Sequence, residues 1–153
     1  MLFRSLGAGN AFAEGIGEIL TPLTLPAAWY LVLVPPVAVP TAVVFAAPEL
    51  TRNTKTTTIS SFSAGPGDYR SGYGHNDLEP VACSRYPQVA ACVEWLRTQQ
   101  SDARMSGSGA CVFAEFAAEQ EARSAASRMP AGMRGFVARG LARHPLQDML
   151  DRG

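Results

Sequence analysis

The residues best suited to chemistry lie in Arg104-Met105-Ser106-Gly107-Ser108-Gly109-Ala110-Cys111-Val112-Phe113, where two glycines alternate with two small hydroxyl side chains between apolar segments. Successive backbone amides in such a turn form a concavity for an anion, and the missing bulk lets a phosphate chain come close. Taken alone, Ser106-Gly107-Ser108-Gly109 also reads as a plain glycine turn joining two strands, which is the commoner meaning of such a tetrapeptide. No catalytic set accompanies it. Ser106 or Ser108 would need a neighbouring base to act as a nucleophile, and the sequence supplies none. His75 stands in a glycine-rich stretch with no acid or nucleophile at a telling spacing, so it reads as a loop residue. Glu14 and Glu18 would share a face only in a helix, and Gly15 and Gly17 oppose one.

Metal ligation finds no support either. Cys83, Cys92 and Cys111 form no CxxC pair, and the only histidines are His75 and His144, too few for a four-ligand zinc site. The cysteines sit in apolar periodic segments, where a reduced thiol behaves as a small hydrophobe. A reduced, cytoplasmic chain is expected.

The 153 residues are 47% hydrophobic and 17% charged, enough apolar material for one domain. Thirteen basic residues balance thirteen acidic ones, and the basic face that a nucleic-acid partner demands is missing. Pro26 to Pro48 carries no charge and is long enough to span a bilayer. Pro35, Pro36 and Pro40 break it, because each removes a backbone donor and blocks the preceding helical turn. A strand, a tight connection and a short helix are expected instead of a membrane span. Residues 1–20, with two glutamates and internal glycines, do not read as a signal peptide.

The elements that would position the glycine turn follow from periodicity. Ala11 to Leu20 suits two extended pieces joined at Gly15 and Gly17. Trp29 to Val34 reads as a central strand buried on both faces. Thr41 is placed to cap a short helix through Ala47 that Pro48 ends. Thr51 to Gly74 reads as an exposed connection with one weak helical turn near Ile59. Asn76-Asp77-Leu78-Glu79 has the form of a capping box opening a helix to Arg85. Pro87 opens the next helix, whose Val89, Cys92, Val93 and Leu96 form one stripe. Strands near Ala103–Met105 and Ala110–Phe116 follow. A helix from Ala118 to Arg128 then carries Ala122, Ala125, Ala126 and Met129 on one face, with a Glu119–Arg123 pair. Gly135 to Leu141 is the last strand. From Trp29 onward this predicts an α+β chain, a ferredoxin-like βαββαβ two-layer sandwich preceded by an orphan β-hairpin. The boundaries are 1–28 for the hairpin remnant, 29–148 for the domain and 149–153 for a tail, of which Asp151-Arg152-Gly153 is expected to fray.

Arg104 to Phe113 resembles the third conserved motif of the small-molecule kinase superfamily named for galactokinase, homoserine kinase, mevalonate kinase and phosphomevalonate kinase. The similarity extends, in family order, through Asn10-Ala11-Phe12-Ala13-Glu14-Gly15-Ile16-Gly17-Glu18, Pro40-Thr41, Phe45, Pro48 to Thr54, Asn76 to Glu79 and Pro145-Leu146. It points to the branch that phosphorylates the 2-hydroxyl of a cytidylated methylerythritol on the non-mevalonate route to isoprenoids, with ATP and magnesium. The resemblance implies that Phe45 stacks on the cytosine ring, that Thr41 lies beside it at the substrate cleft, and that Ser106, Gly107, Ser108 and Gly109 form the phosphate-side loop. Without it, Phe45 reads as core filling under its helix.

The family's lysine, its glycine-serine phosphate loop and its catalytic aspartate all belong upstream of the equivalent of Asn10. Leu6-Gly7-Ala8-Gly9 does not supply the aspartate, because the register set by Asn10-Ala11-Phe12 places it several positions too late. The resemblance therefore implies a carboxy-terminal domain that is inactive without a complementary amino-terminal half. A non-catalytic nucleotide-binding or interaction module derived from such a kinase is the alternative.

Overall fold

The computed structural model describes residues 10–54 and 75–142. The expected turn near Ile59, the Pro145-Leu146 match and the tail at 149–153 lie outside them. The chain divides into two compact units, one of which contains the hairpin before Ala28 and the other Ala28–Thr56 with Ser71–Arg139.

In the first unit, β1 (Ala11–Glu14) and β2 (Ile19–Pro22) form an antiparallel pair with Ala11 opposite Pro22 and Glu14 opposite Ile19. The turn between them needs left-handed backbone at Gly15 and Gly17 (φ +69° and +98°), which glycine adopts without a Cβ penalty. Ile16, Ile19 and Leu20 are exposed.

In the second unit, β3 (Trp29–Leu33), β4 (Arg104–Met105), β5 (Val112–Phe116) and β6 (Gly135–Arg139) make one antiparallel sheet in the order β4-β5-β3-β6. Leu31 pairs with Ala114 on one side and Val137 on the other, so β3 is central as expected. It is not buried on both faces, however. Leu31 and Leu33 are sealed while Tyr30 and Val32 are half-buried, because strand side chains alternate and the sheet's core lies on one face. On the other face Tyr30 meets Phe113 edge to face, with ring centroids 6.1 Å apart, and Arg104 lies over the Phe113 ring.

Helices supply the rest of the core. α1 runs from Thr41 to Phe45, α2 from Leu78 to Arg85, α3 from Pro87 to Gln99 and α4 from Glu119 to Ser127. Pro87 occupies the start of α3, where its missing N–H costs nothing. The stripe Val89, Cys92, Val93 and Leu96 is buried against Leu31, Leu33, Met105, Val112 and Phe116, together with Ala122 and Ala125 of α4. Burying each large aliphatic side chain contributes about 1.5–3 kcal/mol. A second cluster of Val44, Ala47, Leu50 and Val81 seats α1 on α2. No helix among the described residues is long and apolar enough to cross a membrane.

Candidate functional site

α1 is five residues long, too short to hold itself together, and its packing places its side chains. Val44 is fully buried beneath it, whereas Phe45 is 54% exposed. Phe45 is therefore not the core filler under this helix. The cap position is Pro40, and Thr41 is the first helical residue with no capping bond from its side chain. Its hydroxyl instead stands 2.7 Å from the hydroxyl of Ser108. The carboxy-terminal carbonyls of the helix need donor partners, and Arg52 provides them. Its guanidinium donates to the Phe45 carbonyl at 2.7 Å, to Ala47 at 3.3 Å and to Leu50 at 3.2 Å.

The glycine loop leaves β4 at Ser106, whose amide donates to the Cys111 carbonyl at 2.8 Å; the Gly109 amide closes the turn on the Ser106 carbonyl at 3.1 Å. Gly107 and Gly109 have φ of +58° and +106°. A side chain is strained at both. At Gly109 it would also press on Met105 and Val39, at 3.2 and 3.3 Å, while Gly107 opens onto free space.

The start of α2 braces this loop, and the expected capping box does not form. Asp77 holds the cap position without a capping bond from its side chain. Asn76 accepts from the Leu78 amide through Oδ1 at 3.1 Å, and its Nδ2 donates to the carbonyls of Met105 at 3.0 Å and Gly107 at 2.7 Å. Glu79 turns inward. Its carboxylate accepts from the Met105 amide and from Arg97, each at 2.7 Å, and Arg97 also donates to the Ala103 carbonyl at 3.1 Å. A buried carboxylate needs strong partners, and the edge strand β4 offers an amide that nothing else satisfies. That requirement overrides the local capping pattern.

A cavity of about 560 Å³ opens beside these elements. Phe45, Leu50 and Leu78 give it apolar surface, Arg52, His75 and Asp77 give it polar groups, and Gly107 of the glycine loop also lines it. His75 Nε2 lies 2.8 Å from Asp77 Oδ1, which also accepts from the Thr54 hydroxyl at 2.8 Å. An ionised carboxylate only accepts, so Nε2 is the donor in this contact.

Of the residues singled out from sequence, Thr41 and Ser108 touch, and Phe45 and Gly107 line one cavity. Ser106 and Gly109 build the turn without lining it. Sequence reasoning passed over Arg52 and the His75–Asp77 pair, and it gave Asn76 and Glu79 only a helix-capping duty. A histidine two residues from an aspartate carries little signal by itself.

The family description "GHMP kinases C terminal" matches residues 65–135. Residues 65–135 are thus similar to the C-terminal domain of GHMP kinases. It is 59% identical over 141 residues to the 4-diphosphocytidyl-2-C-methyl-D-erythritol kinase of Thiobacillus denitrificans, covering 92% of this chain and 48% of that protein. The same-named kinase of Nitrosospira multiformis is 58% identical over 145 residues, covering 94% of this chain and 47% of its own. The chain thus spans about half the length of the curated relatives it matches. A crystal structure of 4-(cytidine 5'-diphospho)-2C-methyl-D-erythritol kinase is similar with a TM-score of 0.64 and 28% identity, over 84% of this chain and 48% of that one. The α+β build and the antiparallel sheets are consistent with these similarities.

Proposed function

We propose that this chain is the carboxy-terminal part of a cytoplasmic kinase that passes a phosphoryl group from ATP to the 2-hydroxyl of a cytidylated methylerythritol. In this reading it is inactive until a complementary amino-terminal half joins it. The names of its relatives support the substrate and the use of ATP. The strand order β4-β5-β3-β6, interleaved with α2–α3 and α4, supports a ferredoxin-like βαββαβ sandwich from residue 29 to 148, with the hairpin before it as a remnant of the other half.

The observation that carries the site is the cavity that Phe45 and Gly107 both line. A half-exposed phenylalanine forgoes part of its burial energy, and a stacked base recovers it, at about 1–3 kcal/mol per base. Thr41, one helical turn before Phe45, ties this substrate side to the loop through Ser108. At the phosphate side, among the described residues no acceptor takes the Gly107 or Ser108 amide. Those amides suit phosphate oxygens. Magnesium fits less well: among the described residues no group of three His, Cys, Asp or Glu side chains could hold a metal ion. The ligands for a nucleotide-bound magnesium would have to come from outside the described residues.

Phosphoryl transfer needs a group that orients the attacking hydroxyl, cationic charge and a cradle for the triphosphate. This domain's share is to grip the base, to line the phosphate path and to keep the two in register. The test is phosphoryl transfer to the cytidylated substrate by the chain alone and after addition of the amino-terminal half of the Thiobacillus denitrificans relative. Turnover only in the mixture is expected. Turnover by the chain alone at an enzymatic rate would overturn the reading, and a folded mixture with none would favour a non-catalytic binding module.

A further inference from the structure

The Gly107–Ser108 peptide is held from one side only. Its carbonyl receives the Asn76 Nδ2 hydrogen at 2.7 Å, and the same nitrogen reaches the Met105 carbonyl at 3.0 Å. In a trans peptide the N–H points opposite to the C=O of the same plane. Fixing the Gly107 carbonyl toward α2 therefore fixes the Ser108 N–H away from it, and no described residue accepts from that N–H. Gly107 alone would not hold this plane, because glycine with open space around it rotates readily. Asn76 is itself pinned: its Oδ1 accepts from the Leu78 amide, so the amide group cannot flip without losing that bond.

We propose that Asn76 is a positioning residue that aims the Ser108 amide at an anionic oxygen of a polyphosphate. The inference rests on the reading of residues 106–109 as the phosphate side, and adds to it the group that sets the loop's donor direction. Asn76 lines the same cavity as Phe45 and Gly107, and its role here is to orient the loop. It acts through two carbonyls, and the Ser108 hydroxyl is steadied separately by Thr41.

The test uses the full 153-residue chain, labelled with ¹⁵N and titrated with inorganic pyrophosphate. In the wild-type chain the Ser108 amide is expected to be rigid, with an order parameter near 0.85, and to shift saturably with pyrophosphate. Asn76→Ala should lower that order parameter toward 0.6, on the same scale, and weaken pyrophosphate binding at least tenfold, while the Leu31 and Val89 amides keep their wild-type positions. Asn76→Ser, which keeps a short hydroxyl for Leu78 but cannot span to Gly107, serves if the alanine variant fails to fold, with the same expectation. A variant whose Ser108 amide stays rigid, or that binds pyrophosphate as the wild type does, overturns the role of Asn76. A wild-type chain with no response at residues 106–110 overturns the phosphate-side reading instead.

Discussion

The hydroxyls of Thr41 and Ser108 stand 2.7 Å apart although 67 residues separate them in the chain. One belongs to the first turn of α1 and the other to the glycine loop, so a single hydrogen bond joins the helix that carries Phe45 to the loop that carries Gly107. Exposed hydroxyl pairs contribute little, about 0.5–1.5 kcal/mol net. A double-mutant cycle with Thr41→Val and Ser108→Ala should return a coupling energy in that range by urea unfolding. Strictly additive losses would mean that the two groups share no bond in solution.

Glu79 is a stronger structural tie. Glu79→Ala leaves the Met105 amide without its acceptor inside the core edge, which costs about 1–3 kcal/mol. Glu79→Gln keeps an oxygen for Met105 and loses only the charge pairing with Arg97, whose side chain is 48% exposed and therefore screened. The glutamine variant should retain more than half of the stability that the alanine variant loses, read as the shift in urea midpoint. Equal losses would show that the Arg97 pairing dominates instead.

The periodic elements were legible in the sequence because local rules decide them. Pro87 starts α3, the stripe Val89, Cys92, Val93 and Leu96 turns inward, and Glu119 pairs with Arg123 at 2.7 Å on α4. Leu31 and Leu33 alternate with Tyr30 and Val32, so the uniformly apolar run around them misled about the second face. Side-chain destinations set by the tertiary fold were not legible. Asn76 and Glu79 carry a sound capping pattern, yet their partners on β4 and its loop lie 26 to 31 residues away. Nothing local announces that β4 is an edge with a spare amide, and Arg52 likewise reaches carbonyls that only the end of α1 creates.

Substitution at the two loop glycines should separate backbone strain from crowding. Gly107→Ala adds a Cβ in open space at φ +58° and should cost about 1–2 kcal/mol. Gly109→Ala carries a comparable strain and also presses on Met105 and Val39, so its thermal midpoint should fall further. The reverse order would contradict the loop geometry.

On the outer face of the sheet, burial pushes the Tyr30 phenol above its ordinary value of 10.0, and the Glu115 carboxylate beside it pushes the same way. A raised value in the folded state means that folding favours the neutral phenol. The associated stability is fully present below pH 10.0, the ordinary value, and is lost as pH rises through the folded one. Glu115→Gln should bring the Tyr30 ring titration, followed by NMR, back toward the ordinary value without abolishing the shift that burial causes. An unchanged titration would remove Glu115 from the account.

That Phe45 and Gly107, which line one cavity, serve one site is tested most directly by steady-state kinetics in the enzyme reconstituted with an amino-terminal half. Phe45→Ala should raise KM for the cytidylated substrate about 10-fold or more, the equivalent of losing a stacked base, with KM for ATP unchanged. A variant that folds as the wild type does and keeps both constants would make Phe45 an ordinary surface residue and contradict the site.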